Sequence, residues 1–183
     1  PAVEHGEWTN NPVDRFTLSR LESAGLSPSS RADRVALARR ATYDITGLPP
    51  TPEQIDAFVR DERPDAPARL VDRLLASPGY GIKWGRHWLD LVRWAETDSF
   101  ERDRRKPHAW RYRDYVIDSF NVNKPFDRFV LEQLAGDELE DRSVETIIAT
   151  GYYRLSIWDD EPTDVLQAQF DDLDSILDTT CRV

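Results

Sequence analysis

The sequence predicts an all-α fold: one compact domain of eight or nine helices with an irregular basic loop and an acidic C-terminal helix. Three observations lead there. Apolar residues recur at three-to-four spacing along most of the chain, as amphipathic helices require, and alternation with period two is nowhere sustained. Helix-start and helix-stop residues punctuate these runs at regular intervals. The 183 residues, 39% of them apolar and 10% aromatic, suffice for a core of one domain.

In order along the chain, residues 1–10 have no periodicity and read as a linker or arm, with Trp8 as an anchor. Asn11-Pro12 is an N-cap followed by proline at the first helical position, where its missing N–H costs nothing. A helix over about residues 12–24 follows, with Phe16 and Leu21 flanking its apolar stripe and Gly25 as its left-handed cap. Ser29 or Ser30 opens a second, through Val35, Leu37, Ala38, Ala41 and Ile45, which Gly47 stops before Leu48-Pro49-Pro50. Thr51 and Gln54 form a capping box for a short helix through Ile55, Phe58 and Val59. Leu70, Val71, Leu74 and Leu75 mark a fourth, ended by Ser77-Pro78-Gly79.

The central pair comes next. A helix over about 82–96 would put Trp84, Trp88, Leu91 and Ala95 on one stripe and Arg86, Asp90, Arg93 and Thr97 on another. Residues 97–107 read as loop, and a second central helix over about 108–120 carries Trp110, Tyr112, Tyr115, Val116 and Phe120. Phe126 to Leu134 form a helix ending near Gly136. Residues 143–150 form a short one with Ile147, Ile148 and Ala149 buried. Leu166, Phe170, Leu173, Ile176 and Leu177 form the last, acidic helix.

The net charge of −10 is unevenly placed. Between Asp137 and Asp178 there are thirteen acidic residues against two arginines, so the rest of the chain is nearly balanced. Phosphate backbones demand a net basic face, and only residues 101–113 offer one, so the charge pattern argues against nucleic acid as a partner. No apolar run approaches the roughly 20 residues of a membrane span. The one cysteine, Cys181, permits no internal disulfide and no Cys-rich metal site. The mid-loop start and the stop just after a helical pattern read as a piece of a longer multidomain protein.

Chemistry concentrates between Trp84 and Asp118, which hold four of the six tryptophans and two of the three histidines. His87 lies one turn before Asp90, so an imidazole–carboxylate pair is available for acid–base work, with Glu96 as a further carboxylate. A structural, ion-paired histidine is the plainer alternative. Asp98, Glu101 and Asp103 could hold a hard cation through oxygen, although their spacing does not match an EF-hand loop. Arg102, Arg104, Arg105 and Lys106 are interleaved with them, so mutual neutralisation on a solvated loop is the alternative there. An anionic or sugar-like ligand at the base of the loop would use Arg104, Arg111 and Arg113 as forked donors and Trp94 or Trp110 as stacking faces. Asp159-Asp160-Glu161 with Asp164 precedes the last helix, where the carboxylates would cap it or, more sharply, bind calcium.

Several long stretches stand in a familiar order: Asn11-Pro12-Val13-Asp14-Arg15-Phe16, Asp44-Ile45-Thr46-Gly47-Leu48-Pro49-Pro50-Thr51-Pro52, and Leu70-Val71-Asp72-Arg73-Leu74-Leu75-Ala76-Ser77-Pro78. Trp84-Gly85-Arg86-His87-Trp88-Leu89-Asp90, Trp110-Arg111-Tyr112-Arg113-Asp114-Tyr115 and Glu132-Gln133-Leu134-Ala135-Gly136-Asp137 continue the order. From Asn11 to nearly its end the chain resembles the uncharacterised helical domain of planctomycete-type cytochrome c domain-containing proteins. The resemblance implies a large exported protein, periplasmic or at the cell surface. Neighbouring cytochrome c-type and C-terminal domains of the same polypeptide would be its partners. It implies c-type haem in the full-length protein but no cofactor within this chain, because the single cysteine matches no haem motif. Carbohydrate-binding and sulfatase-type proteins that accompany the family hint at polysaccharide. Two readings follow: a scaffold that docks neighbouring domains of a redox protein, or a catalytic domain acting on an anionic glycan.

Overall fold

Nine α-helices and two short 3-10 helices make up the computed structural model, which describes residues 1–99, 102–159 and 161–182 and contains no strand among them. The all-α expectation holds. By its internal contacts the chain divides into two units, Pro1–Leu37 and Ala38–Val183, with the division inside the second helix.

In the first unit, the 3-10 helix Gly6–Trp8 precedes α1, Pro12–Ser23. The Asn11 side chain accepts hydrogen bonds from the Val13 and Asp14 N–H groups, and the Asp14 carboxylate accepts from those of Asn10 and Asn11. This reciprocal cap satisfies N–H groups that the helix itself leaves unpaired. Gly25, at φ 67°, closes the helix while Leu26 N–H bonds back to the Leu21 carbonyl. The buried residue of α1 is Leu18; Phe16, expected to edge the apolar stripe, is exposed. Residues 4 and 5 are tied down through their N–H groups to the Glu22 carboxylate.

The second unit has two cores. In the smaller, Ala38, Ala41 and Ile45 of α2 (Arg34–Thr46) pack with Phe58 of α3 (Pro52–Val59) and Leu70 and Leu74 of α4 (Ala66–Leu75). Thr51 and Gln54 form the expected capping box on α3. The larger core joins α5 (Pro78–Leu91), α6 (Ala109–Asn121), α7 (Phe126–Ala135), α8 (Val144–Ala149) and the 3-10 helix Thr150–Arg154. Its centre is aromatic, with Phe129 edge-on to Trp88 at 4.8 Å and stacked on Tyr115 at 5.8 Å.

The central pair corrects the expected stripe. Helix α5 begins earlier than the apolar pattern suggests, because Ser77 caps it and Pro78 occupies its first turn rather than ending α4 alone. It also stops earlier, since Arg93 adopts φ 58° and turns the chain out of the helix. The inward face is Gly81, Gly85, Trp88 and Leu89, continued by Val92, while Trp84 and Leu91 are exposed. Two glycines four apart let α6 approach: a methyl group on Gly81 would collide with the Ile117 carbonyl and lie 2.6 Å from the Asn121 side chain, which accepts the Gly81 N–H. Gly81→Ala is therefore expected to lower the unfolding free energy by about 1–3 kcal/mol. Urea denaturation measures it, and an unchanged midpoint would contradict the close packing of α5 on α6.

Ile147 of α8, expected inside, is 49% exposed. Helix α9, Val165–Arg182, begins where Asp164 accepts the Gln167 N–H, so that carboxylate is a cap as anticipated. Only Ile176 of its predicted apolar set packs on the larger core; Leu166, Phe170, Leu173 and Leu177 are exposed. Among the described residues, no helix is long and apolar enough to cross a membrane.

Candidate functional site

Two buried hydrogen-bond networks brace the helices that carry the site. In the first, Trp88 Nε1 donates to Gln133 Oε1 and to the Tyr112 hydroxyl, both at 3.1 Å, and Tyr112 in turn donates to Gln133. Gln133 Nε2 donates back to the Phe129 carbonyl. Burial pushes the Tyr112 phenol far above its ordinary value, so it stays a neutral donor.

In the second, the Glu132 carboxylate accepts from Lys124, from Arg128 Nε at 2.7 Å and from the Tyr115 hydroxyl at 2.9 Å. Lys124 lies 4.5 Å from the Tyr115 ring centroid and also pairs with Glu145, while Arg128 pairs with Asp141. Burial raises the Glu132 carboxyl, but the bonds from Lys124, Arg128 and Tyr115 outweigh it and hold the group below its ordinary value. Every charge in this network has a partner, which identifies it as structure.

After α5, the segments on either side of residues 100 and 101 pair antiparallel, and the two together are called the turn. Thr97 and Arg105 form a β-bridge, Asp98 N–H donates to the Arg104 carbonyl, and Lys106 N–H donates to the Glu96 carbonyl. Bonds that fasten the turn to the segment after the 3-10 helix include Trp158 N–H to the Asp98 carbonyl at 3.1 Å and Lys106 Nζ to the Ser156 carbonyl at 3.0 Å. Burial holds the Lys106 ammonium below its ordinary value. The Arg154 guanidinium carbon then lies over the Trp158 ring, 3.9 Å from its centroid.

This fastening creates a cavity of about 640 Å³ between the turn, the start of α6 and the 3-10 helix. Its apolar base includes Tyr112, Ile148 and Leu155. Around it stand Arg104, Arg105, Lys106, Arg111 and Arg154, with Asp98 the one carboxylate of the described lining, 3.8 Å from Arg104 Nε. In a domain of net charge −10, this is a concentration of positive charge over an apolar floor. Such a cavity can bind an anion by forked and point-charge donors and cover a ring by stacking.

The residues singled out from the sequence divide between this cavity and its surroundings. Arg104, Arg111 and Asp98 line it. Trp94, Trp110 and Arg113 do not: Trp94 donates to the Ala109 carbonyl, Arg113 lies 5.8 Å from the Trp94 ring and pairs with Glu96, and Arg111 leans on the Trp110 ring at 5.5 Å. His87 and Asp90 are exposed on α5, the His87 ring 5.3 Å from that of Trp84, and neither they nor Glu96 line the cavity. Asp103 accepts the Ser99 N–H within the turn; Glu101 lies outside the described residues, as does Asp160. Asp159 accepts the Glu161 N–H, and Glu161 pairs with Arg102. Among the described residues no group of three His, Cys, Asp or Glu side chains could hold a metal ion. Sequence reasoning passed over Arg154 and Trp158. Their spacing of four in a stretch rich in aromatics was the available signal, and the absence of any helical pattern there hid it.

Comparison with curated proteins finds no match, and comparison with solved structures finds none either. A family model does match, over residues 12–183. The chain therefore belongs to the family described as PSCyt2, protein of unknown function (DUF1549).

Proposed function

We propose that this domain is a binding module for an anionic glycan, seated in the basic cavity between residues 98 and 104–106, α6 and the 3-10 helix. One observation carries the reading: among the described lining residues, five Lys and Arg side chains stand against one carboxylate around an apolar base. The carboxylate or sulfate of an acidic sugar would meet Arg104, Arg111 and Lys106, and the ring would lie over apolar surface, as sugar rings do on aromatic and aliphatic walls. His87, Asp90 and Glu96 lie outside the described lining, which includes His108 and Asp98, so the reading claims binding and gives His87, Asp90 and Glu96 no part in it. Calorimetric titration with glucuronate and with glucose tests this. Glucuronate should bind and glucose should not, and the affinity should weaken as salt rises. Equal binding of both sugars, or of neither, would remove the reading.

A second reading keeps the domain in an exported, planctomycete-type protein with a c-type haem domain, whose anionic propionates the same cavity would receive. The label PSCyt2 and the exposed apolar face of α9, Leu166, Phe170, Leu173 and Leu177, favour a docking role. Full-length protein should then show a c-type haem spectrum, and its haem domain should compete with glucuronate for the cavity.

A further inference from the structure

Arg154 and Trp158 line the basic cavity and also a second one, a groove of about 880 Å³ between residues 154–159 and α9. The stacked pair is thus the wall the two share. Trp158 remains 36% exposed despite the guanidinium over it, so part of the indole is accessible at the junction.

Across this wall the charge reverses. The groove presents Asp159, Asp171 and Asp172. Of its cations, Arg154 belongs to the wall shared with the basic cavity, and Arg93 donates through Nη2 to the Ser175 carbonyl and hydroxyl and to Thr179. Asp172 accepts the Ser156 hydroxyl at 2.9 Å and Asp171 the Gln167 amide at 2.7 Å, each through one oxygen. A second anion placed there would face three carboxylates, whereas hydroxyl and amide N–H groups would find acceptors.

We propose that cavity and groove together bind one glycan chain in which an acidic unit is joined to a neutral one. The acidic unit sits among the cations, the neutral unit donates to the Asp171 and Asp172 wall, and Trp158 supports the linkage between them. This rests on the anion-binding reading and adds a selection: a glycan charged on every unit is disfavoured by the groove.

The test titrates the 183-residue chain with three probes: glucuronate, a hyaluronan hexasaccharide, which alternates glucuronate with N-acetylglucosamine, and hexagalacturonate, which is acidic on every unit. The hyaluronan hexamer should bind at least tenfold more tightly than either of the others. Asp171→Asn with Asp172→Asn should raise hexagalacturonate affinity severalfold and leave glucuronate affinity unchanged. If glucuronate binds but the two hexamers bind alike, or the paired asparagine variant changes neither, the extended cleft is overturned while the basic cavity stands. If none of the three binds, the basic cavity falls as well, and the cleft with it.

Discussion

Replacing Glu132 by alanine is expected to lower the unfolding free energy by about 3–5 kcal/mol, because it leaves Lys124 and Arg128 as charges without their shared counter-ion next to an aromatic core. The side chains of Lys124 and Glu132 are 11% and 6% exposed, so water cannot replace the lost carboxylate. The same group predicts a pH dependence. Its folded-state carboxyl is held below the ordinary value of 4.5, so its contribution is fully present above that value and is lost as the pH falls through the lower one. Asp141, held down by Arg128, adds in the same direction from a more exposed position. Urea denaturation between neutral pH and about pH 3 should show stability falling below about pH 4.5. Glu132→Gln should be less stable at neutral pH and should flatten that acid limb. A variant as stable as wild type at neutral pH would show that the network contributes nothing.

The second large effect concerns the cavity. Lys106→Ala combined with Arg111→Ala should weaken binding of glucuronate about 100-fold or more, since each charged donor to a carboxylate contributes on the order of 1.5–3 kcal/mol. The Lys106 change also releases the bond from its ammonium to the Ser156 carbonyl. Arg113→Ala and His87→Ala are the controls: neither residue lines the cavity, and both should bind as wild type does. Calorimetry reads all three. Loss of binding in the His87 variant with retention in the double variant would move the site to the exposed face of α5.

The starts of α1 and α3 were legible because Asn11 and Thr51 accept N–H groups of the following turn, whereas α4, α6 and α7 have no such side-chain cap and were legible by their apolar spacing. The buried face of α5 was not legible by apolarity, since two of its inward positions are Gly81 and Gly85. A glycine scores as polar or neutral in a pattern, yet here it marks where α6 comes closest. Its outward tryptophan, Trp84, pairs with Tyr80 and His87 instead of the core. Of the site, the basic run at 104–106 and Arg111 could be read as an anion locus because cations crowd there in an acidic chain. The other wall could not be read, because Arg154 and Trp158 lie some fifty residues away and come opposite residues 98 and 106 through tertiary bonds such as Asp98–Trp158 and Lys106–Ser156. Spacing along a chain reports on one helix or one turn at a time, and this cavity is formed by three separate segments.

The most direct test of the basic cavity is to locate the ligand. Amide and indole resonances of the isotopically labelled chain, followed by NMR during a glucuronate titration, should shift together at residues 104–112, at 148–158 and at the Trp158 indole N–H. Shifts confined to the face of α5 that carries His87 and Asp90, or no saturable shift at all, would contradict it.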